Sequence, residues 1–295
     1  MKKISIATMI MVLLLSITAC HKDAQIPTCP TGAIKGLFSV SDSEQVYFSQ
    51  GNLQYQASTN TWRFAEHQYD VIGSDNSNIS SGYSGWIDLF GWGTSGYNGK
   101  HPYMASTNST DYGNGKTNIS GTNYDWGVYN AISNGGNQAG LWRTLTKDEW
   151  VYVFNKRNTA SGIRYVKACV NGMNGLILLP DYWNGSVFPL SCTNTTSTTF
   201  DSNTISSSQW AILEQYGAVF LPAAGGRNGT MVYQVDNGYY WSASFYDSSN
   251  AYHVGIWDWR LNPHIEDAYR FDDDPPVWEN FRKLGNSVRL VRSAQ

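Results

Sequence analysis

"LWRTLTKDEWVYVFNKR", residues 141–157, is the stretch from which the fold is read. Thr146 and Glu149 have the spacing of a capping box, in which the Thr146 hydroxyl accepts from the Glu149 amide and the Glu149 side chain accepts from the Thr146 amide. Trp150, Val153 and Phe154 then recur at three- and four-residue steps, so they line one face of a helix. "SSSQWAILEQYG" (206–217) repeats the arrangement, with Ser206 and Gln209 as the box, Trp210 and Leu213 as the face, and Gly217 as the left-handed stop. Each helix is followed by apolar extended sequence, "GLILLP" (175–180) and "GAVFLPAAG" (217–225).

Working outward, "VYFSQGNLQYQ" (46–56) alternates about Gly51-Asn52 and predicts a hairpin, and "TWRFAEHQYDVIG" (61–73) predicts a further strand region. Residues 74–140 read as loop, rich in Gly, Asn and Ser. They are held by Trp86, Phe90, Trp92 and Trp126, with Trp142 just beyond. Aromatic anchors of this kind distinguish ordered loops from disorder. The last strands are "YYWSAS" (239–244), "AYHVGI" (251–256) and "NSVRLVR" (286–292). There is no repeat of fixed period and no composition break after Leu37. The expectation is therefore one α+β domain over residues 36–295, built of short antiparallel strands, two main helices and long ordered loops.

The first residues address the chain. Lys2 and Lys3 precede an apolar run from Ile4 to Leu15, shorter than a bilayer span and flanked like a secretory signal. "ITAC", Ile17 to Cys20, resembles the lipobox of bacterial lipoproteins. That resemblance implies removal of residues 1–19 and acylation of Cys20, with "CHKDA" similar in part to the signals that send Bacteroidetes lipoproteins to the cell surface. Residues 20–35 then form a lipidated tether, and the location implied is a lipid-anchored outer-membrane protein exposed at the surface.

Removing residues 1–19 takes away Lys2 and Lys3 and no acid, so the formal charge moves from −3 to −5. Nucleic acid demands a basic stripe, and it is excluded as a partner on this balance. Of the cysteines beyond Cys20, Cys169 and Cys192 are candidates for a disulfide and Cys29 lies in the tether; the sequence leaves the pairing open.

"LWRTLTKDEWVYVFNKR" is also similar to the helix entrance of formylglycine-generating-enzyme-like domains, through Trp142, Arg143, Thr146, Glu149 and Trp150. "GAVFLPAAGGRNG", "GYYWSAS" and "GNSVRLVR" resemble the closing strands of the Fibrobacter succinogenes major paralogous domain. Over residues 36–292 the resemblance implies a C-type-lectin-like fold. It does not carry the enzyme's chemistry, because no cysteine follows Cys192. Nor are the calcium and sugar signatures of animal C-type lectins present: Asn262-Pro263 lacks its acidic neighbour. The chain looks most like the variable proteins of diversity-generating retroelements in Bacteroidetes. These vary in the last strands and loops through adenine-directed mutagenesis, which favours Asn, Ser, Asp, Tyr, His, Gly and Ile. The stretch from Tyr239 to Arg282 is full of those types, and residues 238–285 are the expected variable display region.

Within that stretch, strand alternation puts Tyr240, Ser242 and Ser244 on one face and Tyr239, Trp241 and Ala243 on the other. Trp241, Tyr252 and Val254 are expected inside. From Gly255 to Lys283 no period of 2 or 3.6 survives, and the segment reads as a display loop. Tyr and Trp offer large contact areas with few rotatable bonds, while Ser, Asn and Asp adapt their hydrogen bonds. The expected ligand contacts are Tyr240, Phe245, Tyr246, Asp247, His253, Trp257, Asp258, Trp259, Arg260, His264, Glu266, Tyr269 and Phe271. The ligand is an external protein or glycan. The acids Glu266, Asp267, Asp272, Asp273, Asp274 and Glu279 read as a solvated loop suited to a cationic partner. Structural calcium is the alternative for them, and no other cofactor or metal is expected. His67, His101, His253 and His264 are isolated, without an HExxH, GxSxG or P-loop motif, so no enzymatic activity is expected. A fixed carbohydrate-binding or adhesin-like protein is the alternative to a diversified binder, and a hydrolase is further off.

Overall fold

A computed structural model describes residues 29–195, 197–233, 236–257 and 277–294. In chain order its elements are β1 (Phe38–Ser39), β2 (Gln45–Phe48), β3 (Leu53–Gln56), β4 (Thr61–Phe64), α1 (Trp126–Tyr129), β5 (Arg143–Thr144), α2 (Lys147–Val151), β6 (Tyr165–Val170) and β7 (Met173–Leu178). They continue with β8 (Thr204–Ile205), α3 (Ser207–Gln215), β9 (Val219–Pro222), β10 (Gly226–Asn228), β11 (Met231–Tyr233), β12 (Gly238–Phe245), β13 (Asn250–Ile256), β14 (Val277–Phe281) and β15 (Leu290–Ser293). The architecture is α+β, with small, mostly antiparallel sheets and few helices.

Both helix starts are built as their sequences require. Thr146 accepts from the Glu149 amide while the Glu149 carboxylate accepts from the Thr146 amide, and Ser206 and Gln209 do the same for α3. Trp150, Val153, Phe154, Trp210 and Leu213 are all buried. Gly217 follows α3 at φ 87°, in the left-handed region where a side chain is strained. After Val151 α2 widens into a π turn over Tyr152–Lys156 and ends at Arg157. The Arg157 guanidinium is buried and donates to the carbonyls of Val153, Leu179 and Arg164 and to Asp181.

Three sheets organise the body. One has the order β1-β2-β15-β5, so the last strand pairs antiparallel with a strand near the start of the described chain. A second, β8-β6-β7-β9, is antiparallel except for the β6–β8 pair. Its β6–β7 hairpin turns through Asn171 and Gly172, both at positive φ, which suits a tight two-residue turn.

The hairpin expected at 46–56 does not form. β2 and β3 belong to different sheets, with β3 paired to β4. Gly51 passes so close to the Ala65 backbone that a Cβ would lie 2.6 Å from its carbonyl, and Asn52 is buried. The Gly-Asn pair marks a crossing between layers instead of a turn. The reading of 255–283 as wholly loop is also corrected, because Val277–Phe281 forms β14, paired with β13.

The third sheet, β12-β13-β14, separates two cores. Tyr240, Val254 and Ile256 face the core that also holds Phe48, Trp150, Phe154 and Leu178. Trp241, Ala243 and Ala251 face the core of Trp62, Phe90, Trp92, Trp126 and Trp142. A third core lies between α3 and the β6–β7–β9 strands, around Trp183, Trp210 and Phe220. The loop region 74–140 is anchored as expected, with Phe90, Trp92, Trp126 and Trp142 buried and Trp86 half-buried beneath Arg63.

The packed body reaches back at least to Ala33, which bridges to Ser49, and to Ile34, whose amide donates to the Phe48 carbonyl. Cys29, Cys169 and Cys192 are free thiols, so the Cys169–Cys192 disulfide is not formed. Among the described residues no helix is long and apolar enough to cross a membrane.

Candidate functional site

β12 does not run straight into its turn. Its register with β13 shifts between Trp241 and Phe245. There the Ala243 amide donates to Leu145, the Ala243 carbonyl accepts from Ile119, and Ser242 O accepts from the Trp92 indole. Ser244 Oγ accepts from the Lys147 amide at 2.9 Å, a donor that the first turn of α2 leaves without an intrahelical partner. A bulge of this kind re-aims the residues beyond it. Here it ties the end of β12 to the entrance of α2 and turns Tyr246 and Asp247 outward, with Phe245 half-buried against the core of Trp92.

The turn is fastened from below by Arg282. Its guanidinium donates to the carbonyls of Asp247, Asn250 (3.2 Å), Gly115 (2.8 Å) and Tyr112 (3.4 Å) and lies against the faces of Trp92 and Phe245. The Asp247 carboxylate closes the turn, accepting from the Ser249 and Asn250 amides, each at 2.7 Å. Those amides hold its pKa below the usual carboxylate value. Above this frame Tyr246 is 45% exposed and meets half-buried Tyr252 edge-on at 5.2 Å. Lys147 Nζ stands 4.9 Å from the Tyr252 ring centre, and Phe281, 52% exposed, lies on the neighbouring strand.

Eleven of the thirteen expected contact residues therefore separate into three groups. Phe245, Tyr246 and Asp247 are together at the hairpin tip. Trp257 is at the far end of β13, about 20 Å away along the strand at roughly 3.3 Å per residue. Asp258, Trp259, Arg260, His264, Glu266, Tyr269 and Phe271, with the acidic run Asp272–Asp274, lie outside the described residues.

Two of the expected contacts are corrected. Tyr240 is fully buried, accepts from Asn52 Nδ2 at 3.1 Å and donates to the Pro222 carbonyl at 2.8 Å. His253 is buried on the central strand opposite Trp241, its ring 5.7 Å from that of Tyr239. Alternation predicts one wet face, but this sheet is covered on both. Tyr252, expected inside, is half-buried at the tip.

Trp257 is half-buried, and it is held by both main chain and ring. Its carbonyl accepts from Lys167 Nζ at 2.7 Å. Its ring folds back over Gly255, where an added Cβ would sit 2.1 Å from a ring carbon, and meets Tyr239 edge-on at 6.3 Å. Where the described chain leaves β13, it is thus fixed to the body.

Sequence reasoning missed Lys147 and Phe281 at the tip. The alternation in "VWENF" was a usable signal, obscured by the adjoining Pro275-Pro276. It also missed a groove of about 640 Å3 lined by Tyr182, Trp183, Asn184, Val187, Ile212 and Tyr216, in which Trp183 is buried and the two tyrosines are exposed. Among the described residues no three His, Cys, Asp or Glu side chains gather to hold a metal.

No family model, curated protein or solved structure matches this chain.

Proposed function

We propose that the chain is a surface lipoprotein that binds an external protein or glycan through its C-terminal aromatic and polar segments, diversified by a retroelement. In this reading residues 1–19 are a signal peptide, Cys20 carries the lipid, and the body from about residue 36 adopts a C-type-lectin-like fold. The pairing of β15 with β2, which joins the two ends of the body, supports that fold, as do the long anchored loops between them. Binding proceeds without chemistry on the ligand.

The observation that carries the reading is the hairpin tip. Tyr246 and Phe281 face solvent, with Tyr252 half-buried between them and the body, beside a turn that Arg282 and Asp247 fix in place. Tyr240 and Trp241 of the same sheet are committed to cores. Aromatic side chains already held in position lose little conformational freedom on contact, so more of the contact energy appears as affinity. Trp257, the last described residue before the remaining expected contacts, is itself held to the body by Lys167 and Tyr239.

The test has two arms. Glycan and protein arrays are probed with the mature chain and with Tyr246→Ala, Trp257→Ala and Trp259→Ala. Binding that weakens in these variants supports the surface, and binding unchanged in all three removes it. Sequencing of the 3′ end across a population, together with a nearby reverse-transcriptase gene and an adenine-differing near-copy, tests diversification. Invariance of codons 238–285 leaves the fixed carbohydrate-binding or adhesin-like alternative.

A further inference from the structure

The groove missed by sequence reasoning stands where the chain enters the body. Gly36 and Gly217 touch so closely that a Cβ on Gly217 would lie 2.6 Å from the Gly36 Cα and 2.7 Å from the Tyr182 hydroxyl. The Asp181 amide donates to the Leu37 carbonyl at 2.9 Å. The incoming segment therefore runs along the groove's Tyr182 rim, with Tyr216 immediately before Gly217 on the other side. Cys29, the first described residue, lies seven residues before Gly36, and its thiol donates to the Ala33 carbonyl at 3.3 Å.

Around this entry Tyr182, Tyr216 and Ile212 are 46%, 49% and 45% exposed, among the largest apolar exposures on the body. The groove lining carries no charged side chain. Tyrosines beside aliphatic groups, neutral and half-exposed, have the composition of a surface at the boundary between headgroups and acyl chains, where the ring is buried and the hydroxyl stays wet.

We propose that this face, with Tyr182, Ile212 and Tyr216 at its centre, rests on the lipid surface to which the chain is anchored. The inference rests on the reading of Cys20 as the lipidated residue. Cys20 stands nine residues before Cys29, a reach of at most about 30 Å, so the anchor holds the entry face near the bilayer and raises the local concentration of lipid at the groove. Neither neutral aromatic needs an acidic lipid, and zwitterionic headgroups suffice. The face then orients the body, leaving the hairpin tip in another part of the fold for the external ligand.

The experiment is hydroxyl-radical footprinting read by mass spectrometry on the mature chain in zwitterionic phosphatidylcholine vesicles. One arm is anchored by the native lipid and a second by an N-terminal hexahistidine on nickel-chelating lipid. Tyr246, equally exposed in solution, serves as the internal reference. The expected result is a severalfold loss of labelling at Tyr182 and Tyr216 on anchoring, with none at Tyr246. Ile212→Glu, an exposed change on α3, restores labelling of Tyr216 without detaching the chain. Equal labelling of all three tyrosines on anchored protein overturns the proposal. Protection that appears without vesicles as protein concentration rises also overturns it, since a second copy then covers the face. If the native chain carries no lipid but the hexahistidine arm shows protection, the face is supported and only the lipoprotein reading fails.

Discussion

The Tyr240 hydroxyl bridges Asn52 Nδ2 and the Pro222 carbonyl inside one core, while Tyr246, six residues on, keeps nearly half its surface in water. Removing the first hydroxyl leaves the buried Asn52 Nδ2 without its partner, while the Pro222 carbonyl keeps the Ala224 amide. Tyr240→Phe is expected to cost about 1–3 kcal/mol of stability with ligand binding unchanged. Tyr246→Ala is expected to leave the urea midpoint within experimental scatter and to weaken binding. The crossed pattern, measured by denaturation and by array binding, separates core from surface, and a Tyr240→Phe variant that loses ligand at full stability would reverse the assignment. Arg282 is a sharper case, since its one guanidinium satisfies four carbonyls from two segments, 112–115 and 247–250. Arg282→Ala is expected to cost roughly 3 kcal/mol or more and to speed amide exchange over residues 245–250. Arg282→Lys keeps the charge but loses the planar fork, so it recovers only part of that.

The two helix starts were legible because a capping box is a local device: its hydrogen bonds join residues three apart and need no knowledge of the rest of the chain. Each hydroxyl can therefore be tested alone. Thr146→Ala and Ser206→Ala are each expected to lower stability by about 1 kcal/mol. The double variant should show the sum to within about 0.5 kcal/mol, because the helices sit in different cores. Thermal melting of the three variants checks this, and a double variant no worse than either single would mean that the ends melt together before the body does. What was not legible is long-range. Tyr240 and His253 alternate as a half-wet strand would, and only the arrival of α2 on one side and of Phe90 and Trp92 on the other covers both faces. Gly51-Asn52 has the composition of a turn, but the real two-residue hairpin is at Asn171-Gly172. Neither pair states which strands flank it in space. The hairpin tip was half legible: Phe245, Tyr246 and Asp247 were expected there, but the register shift in β12 before them is fixed by Leu145 and Ile119, which the local sequence does not contain.

At the scale of the whole molecule, buried polar groups tie the irregular segments to the sheets, and two of them are carboxyls. Asp88 accepts from Asn76 Nδ2 and the Ile72 amide, holding the 72–88 loop. Asp125 accepts from the Thr144 amide and hydroxyl and from the Gly127 amide, joining the start of α1 to β5. These bonds favour the ionised forms, but complete burial outweighs them and pushes both pKa values up to about 6 from 3.8. A raised carboxyl pKa means that the folded chain holds protons the unfolded chain has released. The associated stability is fully present below about pH 4 and is lost as pH rises through 6. The body is therefore expected to be more stable at pH 5 than at pH 7.5, by about 1 kcal/mol for each of the two carboxyls. Asp247 works in the opposite direction, since its pKa is lowered, but its contribution falls away only below the ordinary carboxylate range and does not enter this window. Urea denaturation at pH 5, 6 and 7.5 reads the slope directly. Asp125→Asn places an amide donor against the Thr144 amide and lowers stability at every pH, yet it removes one titrating group, so its profile should be flatter than that of the unaltered chain. An unaltered chain that loses stability between pH 7.5 and 5, or an Asp125→Asn profile as steep as the original, would mean that these carboxyls remain ionised in the folded body.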